Sequence, residues 1–252
     1  MKFRFLLHSW GPGALLLATL MTPVGAADSK SADEWQFEAD VYLWGASIDT
    51  KPVGGDNIHI SFSDIIDDLD MAFMGGFGAR KGKWSLYSDL IYLDIDDEQT
   101  GSARLIRRSI PTKFKVELEA WIITLGGGYE VMKTDRFNID LLAGARYFWL
   151  DVPVTFDLGP LKKKVSATGH NWDGIVGTRG EVALSDKWYM SYYGDVGTGD
   201  SDLTWQGRLG LGYRFDTVDA IFGYRYLDYD VGGTDIDDIT IKGPYAGVKI
   251  RF

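Results

Sequence analysis

From Trp35 to Phe252 apolar and polar residues alternate with a period of two, in stretches of about ten separated by turn residues. A chain written this way forms strands and little else, because only an extended backbone sends successive side chains to opposite faces. In the first stretch Trp35, Phe37, Ala39, Val41 and Leu43 share one face, while Gln36, Glu38, Asp40, Tyr42 and Trp44 share the other. After Arg136 the pattern returns, with Phe137, Ile139, Leu141, Ala143, Ala145, Tyr147 and Trp149 against Asn138, Asp140, Leu142, Gly144, Arg146 and Phe148. Ten strands are predicted near 34–46, 71–81, 84–95, 115–131, 136–152, 170–184, 188–197, 203–215, 220–230 and 239–252, with eight or twelve as the other counts considered. Lys81-Gly82-Lys83, Met132 to Asp135, Ser185 to Lys187 and Asp216 to Asp219 read as tight turns. The connections near 47–70, 96–114 and 153–169 read as long loops, and those near 198–202 and 231–238 as shorter ones. Short turns at one rim and longer loops at the other describe an antiparallel, up-and-down transmembrane β-barrel. An even strand count puts both ends of the barrel at the short-turn rim.

Alternation alone does not say which face points outward. A soluble barrel turns its apolar face inward and a membrane barrel reverses it. Aromatics at both ends of the apolar face favour the membrane. Trp35, Phe37, Trp84, Phe137, Trp188, Phe215 and Phe222 sit beside the short turns; Tyr92, Tyr147, Trp149, Trp172 and Trp205 sit near the loops. Two such belts fit the girdles at bilayer interfaces. The other face carries charges of both signs at mid-strand: Glu38, Asp40, Arg80, Asp89, Glu117, Glu119, Asp140, Arg146, Arg179, Glu181, Arg208, Arg214 and Arg225. These are expected to form an interlocked acid–base network in a narrow lumen, since a buried charge must be paired. A mean hydropathy of −0.10 excludes a protein of many membrane helices and leaves a barrel open.

The amino end reads as a secretory signal. Lys2 and Arg4 precede the apolar run Ala14 to Met21, and Val24-Gly25-Ala26-Ala27 offers small residues for cleavage. Gly11-Pro12-Gly13 keeps the run well short of the ~20 residues a spanning helix needs. The expected organisation is a signal peptide over 1–27 and a barrel over 28–252. Losing Lys2 and Arg4 with no acidic residue takes the net charge from −10 to −12, which argues against nucleic acid as a partner. The absence of cysteine excludes disulfides and thiolate sites.

The last residues, Tyr245-Ala246-Gly247-Val248-Lys249-Ile250-Arg251-Phe252, resemble the terminal strand of Gram-negative outer-membrane proteins. More broadly, Gly223-Tyr224-Arg225-Tyr226-Leu227 and Gly243-Pro244-Tyr245-Ala246-Gly247 are similar to the closing strands of small barrels grouped with opacity-type surface antigens. The resemblance implies an outer-membrane location, contact with its lipids and lipopolysaccharide, and recognition of Phe252 by the barrel-assembly machinery. It supplies no catalytic motif, and its members serve as porins, adhesins, anchors or enzymes, so fold does not choose function.

Candidate chemistry is sparse. His59 and His170 fall in predicted outer loops, where Asp173, Asp64 or Ser166 could partner an imidazole; solvated loop histidines are the plainer reading. Acidic runs at Asp64, Asp67, Asp68 and Asp70, at Asp94, Asp96, Asp97 and Glu98, and at Asp228, Asp230, Asp235, Asp237 and Asp238 lack Ca²⁺-loop spacing, so no metal is expected. Asp64 to Leu69 fits one amphipathic helical turn capped by Ser63. Arg104, Arg107, Arg108 and Lys162 to Lys164 suit either lipid phosphates or plain solubility. Gly126-Gly127-Gly128 lacks the residues of a phosphate loop and reads as close packing within a strand. The expected role is that of a narrow pore or a structural surface protein without a cofactor. A rim hydrolase using a loop histidine and a soluble periplasmic ligand-binding barrel are the alternatives.

Overall fold

The computed structural model describes residues 34–52, 58–67, 69–105, 108–157, 162–231 and 236–252; the expected signal peptide lies outside the described residues. The elements are β1 (Gln36–Trp44), β2 (Ser47–Pro52), β3 (Ile58–Ile60), α1 (Phe62–Asp67), β4 (Leu69–Lys81), β5 (Trp84–Leu105), β6 (Arg108–Lys133), β7 (Asn138–Asp157), β8 (Lys162–Ala183), β9 (Trp188–Gly199), β10 (Leu203–Arg214), β11 (Val218–Asp230) and β12 (Ile236–Arg251). β1 pairs with β4, each strand from β4 to β12 pairs with the next, and β12 returns to β1. The result is a closed antiparallel barrel of ten wall strands. The closing ladder runs from Glu38↔Arg251 to Trp44↔Tyr245. Phe37 and Phe252 then exchange two backbone hydrogen bonds of 3.0 Å each.

β2 extends β1 past Gly45 and Ala46, pairing with β12 from Lys242↔Ser47 outward, and β3 folds back on it. On its other side β1 meets β4 only from Gln36↔Arg80 to Val41↔Gly75. Among the described residues no ladder pair joins the outer end of β1 to the outer end of β4; the Trp44 amide donates to Met74 Sδ at 3.2 Å instead. α1 opens with Ile65 N–H donating to the Ser61 carbonyl, so the cap is Ser61, two residues before the expected Ser63. Ile65 is buried.

Two expected loops are strand. β5 and β6 run out to Leu105 and Arg108, and β7 and β8 to Asp157 and Lys162. The alternation is broken by polar runs on one strand of each hairpin, Asp96-Asp97-Glu98-Gln99-Thr100 in β5 and Lys162-Lys163-Lys164 in β8, although β6 from Lys113 and β7 to Asp157 keep it. At the other rim the turns are short. Lys81 pairs with Trp84 across a two-residue turn, and Gly82 supplies the positive φ of 58° that such a hairpin requires.

The apolar face points outward. Leu43 is 70 % exposed and Trp84 68 %, and Leu86, Leu141, Val176, Leu209 and Phe222 are exposed with them. Their alternate neighbours Tyr42, Trp44, Asp140, Leu142 and Ile175 are buried in the lumen. Such an exterior is unstable in water and suited to hydrocarbon. The protein is an integral membrane β-barrel.

Ten strands enclose a space so narrow that large inward side chains need room opposite. Tyr87 lies across from Gly126, where an added Cβ would come within 2.5 Å of the ring, and Tyr189 from Gly212, where it would come within 2.1 Å. The close packing expected at Gly126 thus has a specific partner in the lumen.

Candidate functional site: the barrel lumen

Three levels follow one another through the lumen. At the short-turn mouth a cavity of about 480 Å³ is lined by residues of the Lys133–Asn138 turn and by ionic side chains of the wall. Arg80 meets Glu130 at 3.2 Å and also pairs with Asp140, which Arg179 Nε approaches at 3.5 Å. Glu181 receives Arg214 at 3.0 Å and Lys249 at 3.2 Å; Arg251 Nη2 pairs with Asp219 at 2.5 Å. Tyr189 donates to the same Asp219 at 2.7 Å.

Deeper in the barrel are two arginines with 0 % exposure, Arg146 and Arg225. Arg146 spans from Thr124 on β6 at 3.4 Å to Thr204 on β10 at 3.2 Å, and its guanidinium pairs with Asp195 on β9. Arg225 on β11 pairs with Asp89 on β5 at 2.8 Å, and two of its nitrogens donate to Gln206 Oε1 at 3.0 and 2.6 Å. The Arg225 guanidinium lies 4.8 Å from the Trp44 ring centroid. Burial makes these pairs costly to break, because a lone ion in a narrow lumen has lost its water.

Toward the loops the interior becomes apolar. Trp44, Met74, Ile91, Ile122, Phe148 and Leu227 belong to one buried cluster that continues into Tyr229, Ile239 and Ile241. Alternation assigns a side chain to a face, and it was the inner face as a whole that read as polar.

The structure puts most of the residues singled out from sequence on the inner face: Glu38, Asp40, Arg80, Asp89, Asp140, Arg146, Arg179, Glu181, Arg208, Arg214 and Arg225. Glu119 is a correction. Its carboxylate accepts from Trp121 Nε1 at 3.3 Å on the outward face, opposite in parity to the buried Ile122 and Thr124. There, at the outer interface, an indole N–H needs an acceptor and a carboxylate can reach water. The Glu117 side chain lies outside the described residues. Unforeseen members of the lumen are Glu130, Asp195, Gln206, Asp219, Lys249 and Arg251. The inward parity of Tyr189, Ser191, Tyr193 and Asp195 carried the signal for Asp195.

On the outside Trp84 packs against Tyr129 at 4.8 Å between ring centroids, Trp188 against Tyr213 at 4.9 Å, and Tyr213 against Phe215 at 4.8 Å. Trp35, Phe37 and Phe252 form a further stack, while Phe137 and Phe222 are exposed. Nearer the loops Tyr147 lies 4.7 Å from Trp172 and Trp205 4.6 Å from Tyr226; Trp149 is half-buried and paired across β8 with His170.

Of the two loop histidines, His59 Nδ1 lies 2.6 Å from Asp49 Oδ1, and Lys242 Nζ lies 3.0 Å from the other oxygen. The hydrogen bond to His59 and the Lys242 ammonium hold the Asp49 carboxyl below its ordinary value. His170 is exposed, and Asp173 is turned inward, accepting from Ser201 N and Oγ at 2.9 Å each. The side chains of Asp64 and Ser166 lie outside the described residues. Among the described residues no group of three or more His, Asp or Glu side chains is arranged to hold a metal ion.

No protein-family model matches this sequence, and no curated protein does. Solved structures do match the fold. The outer membrane protease OmpT of Escherichia coli is 10 % identical, with 86 % of this chain and 97 % of that one covered and a TM-score of 0.50. The translocator domain of the autotransporter NalP of Neisseria meningitidis is 14 % identical over 86 % and 88 %, with a TM-score of 0.46. At this identity the likeness extends to the fold alone. With the outward apolar face, the fold shared with OmpT is that of a bacterial outer-membrane barrel.

Proposed function

We propose that this protein is a sealed outer-membrane barrel, a structural or surface-presenting protein and not a diffusion pore. The observation that carries this reading is the full burial of Arg146 and Arg225 inside the wall, capped by the apolar cluster around Trp44 and Phe148. Hydrated ions crossing that section would have to break buried ion pairs and wet an apolar plug, each step costing several kcal/mol. The outer hairpins of β5–β6 and β7–β8 then serve as the presented surface, next to lipopolysaccharide. Reconstitution in planar bilayers tests the reading. The sealed protein gives no stable single-channel steps, whereas large, long-lived currents would overturn it.

A rim hydrolase is the second reading, and the His59–Asp49 pair favours it, since a carboxylate on Nδ1 is how an imidazole is oriented as a base. Its test is cleavage of peptide and lipid-ester probes by intact protein, lost in His59→Ala. Absence of any turnover removes this reading.

A further inference from the structure

Charge is unevenly distributed around the short-turn rim. The β4–β5 and β6–β7 turns hold Lys81, Lys83, Lys133 and Arg136 against Asp135, whereas the β8–β9 and β10–β11 turns hold Lys187 against Asp186 and Asp216. All of these residues are exposed. One side of the rim is therefore basic in a chain of net charge −10, and the opposite side is not. Lys81 is the ladder partner of Trp84 and shares its outward face, and Lys83 Nζ lies 5.9 Å from the Tyr129 ring centroid. Neither ammonium has a carboxylate partner among the described residues. Both stand just beyond the Trp84–Tyr129 stack, at the depth where snorkelling cations reach headgroup phosphates.

A second observation is independent of charge. The β6–β7 ladder slips between Glu130 and Met132, a bulge that leaves Val131 without an opposite residue. Strict alternation would turn one of two neighbours inward, yet Val131 and Met132 are 48 % and 49 % exposed. The Glu130 amide donates to the Lys83 carbonyl at 2.8 Å, which sets this apolar pair beside the β4–β5 turn. The lipid-facing surface of Trp84 and Tyr129 is thereby prolonged alongside two unpaired ammonium groups.

We propose that this side of the rim is a docking surface for an anionic phospholipid of the periplasmic leaflet, the leaflet that short turns face in such barrels. Lys81 and Lys83 receive the headgroup phosphate, and Trp84, Tyr129, Val131 and Met132 receive the chains and glycerol. Charge complementarity selects the headgroup: basic residues at a membrane surface attract anionic lipid, and a zwitterionic headgroup brings a cation of its own against the lysines. Continuity with the lipid-facing wall selects a lipid over a soluble acidic protein, which could reach the turn but not the bilayer side of Trp84. The proposal is independent of whether the lumen is sealed.

The test is native mass spectrometry of the full mature protein in nonionic detergent, titrated with phosphatidylglycerol or with phosphatidylcholine of the same chain length. Phosphatidylglycerol should be retained at collision energies that strip phosphatidylcholine. Lys81→Gln and Lys83→Gln should each weaken its apparent affinity about fivefold, the usual worth of one basic residue at an anionic membrane surface. Both side chains are exposed, so these variants should keep wild-type heat-modifiable mobility. Met132→Ser should weaken both lipids alike and leave the preference between them in place. Lys187→Gln, on the other side of the rim beside Asp186, should change nothing. Equal retention of the two lipids, or a loss in Lys187→Gln as large as in Lys81→Gln and Lys83→Gln, would overturn the site. Binding of polyglutamate without any lipid preference would assign the face to a soluble acidic partner and would equally overturn the lipid.

Discussion

Arg225 donates from Nη1 to the Tyr42 hydroxyl at 2.8 Å, joining side chains 183 positions apart in the chain. Tyr42 in turn donates to Asp89 at 2.6 Å, which closes a triangle with the Arg225–Asp89 pair. Three strands, β1, β5 and β11, are tied together through the middle of the barrel by three side chains.

Removing Arg225 leaves Asp89 buried without its cation. Arg225→Met should therefore destabilise the barrel by about 3–5 kcal/mol, and adding Asp89→Asn should recover part of the loss. Urea unfolding in micelles, followed by heat-modifiable mobility, measures both. Equal stability of Arg225→Met and wild type would argue against a tied lumen.

Arg146 offers a test of the seal. Arg146→Ala removes the link between Thr124, Thr204 and Asp195, and should destabilise the barrel by a similar few kcal/mol. If this level closes the lumen, a small ohmic conductance should appear in bilayers where the wild type has none. An equally silent variant of full stability would transfer the seal to the apolar cluster alone.

The tyrosine–glycine pairs make a steric prediction. Gly126→Val drives new carbons into the Tyr87 ring and should cost about 1–3 kcal/mol, the usual range for overpacking. Combining it with Tyr87→Leu should restore most of that, and a double-mutant cycle gives the coupling. Additive costs would mean that the two residues do not share the space.

Asp49 gives a pH signature outside the bilayer. About ten residues of β12 are enough to cross, counted from Arg251, and Asp49 pairs in register with Thr240, beyond them. Its folded pKa is depressed by His59 and Lys242, so what the pair adds to docking of β3 is present above the ordinary carboxylate value. It is lost as pH falls through the folded value. A carboxyl-carbon NMR titration should find Asp49 below that ordinary value and moving upward in Lys242→Gln. A titration unmoved by that substitution would exclude the Lys242 contribution.

Deleting Phe252 should slow insertion more than it weakens the finished barrel, in keeping with the resemblance of the last strand to an assembly signal. The residue is exposed and contributes one ring stack, on Phe37, with its two backbone bonds. Assembly kinetics in proteoliposomes compared with unfolding midpoints separate the two effects.

The wall was readable because the bilayer imposes one rule on every spanning strand, and Leu141 beside Asp140 obeys it as plainly as Leu209 beside Arg208. Legibility fails where that rule lapses. Past the bilayer, β5 to Leu105 and β8 from Lys162 carry no such alternation, and Glu119 stands on the outward face although it is charged. Inside, parity puts Trp44, Phe148 and Leu227 in the lumen but does not say that they meet one another there. Contacts such as Arg146 with Asp195 depend on how ten strands curl, a property of the closed sheet and not of any one segment.

A tube embedded in a bilayer feels lateral pressure, and its circumference resists only as well as its weakest join. Around most of this wall each strand is gripped on both sides. Among the described residues, the grip of β1 on β4 at the level of Trp44 and Met74 passes to a sulfur acceptor. Compression of the outer leaflet should therefore be taken up there first, by widening of one joint while the rest of the hoop keeps its shape. The outer half of β4 should accordingly exchange its amide protons sooner than the inner half, from Gly75 to Arg80, which β1 holds.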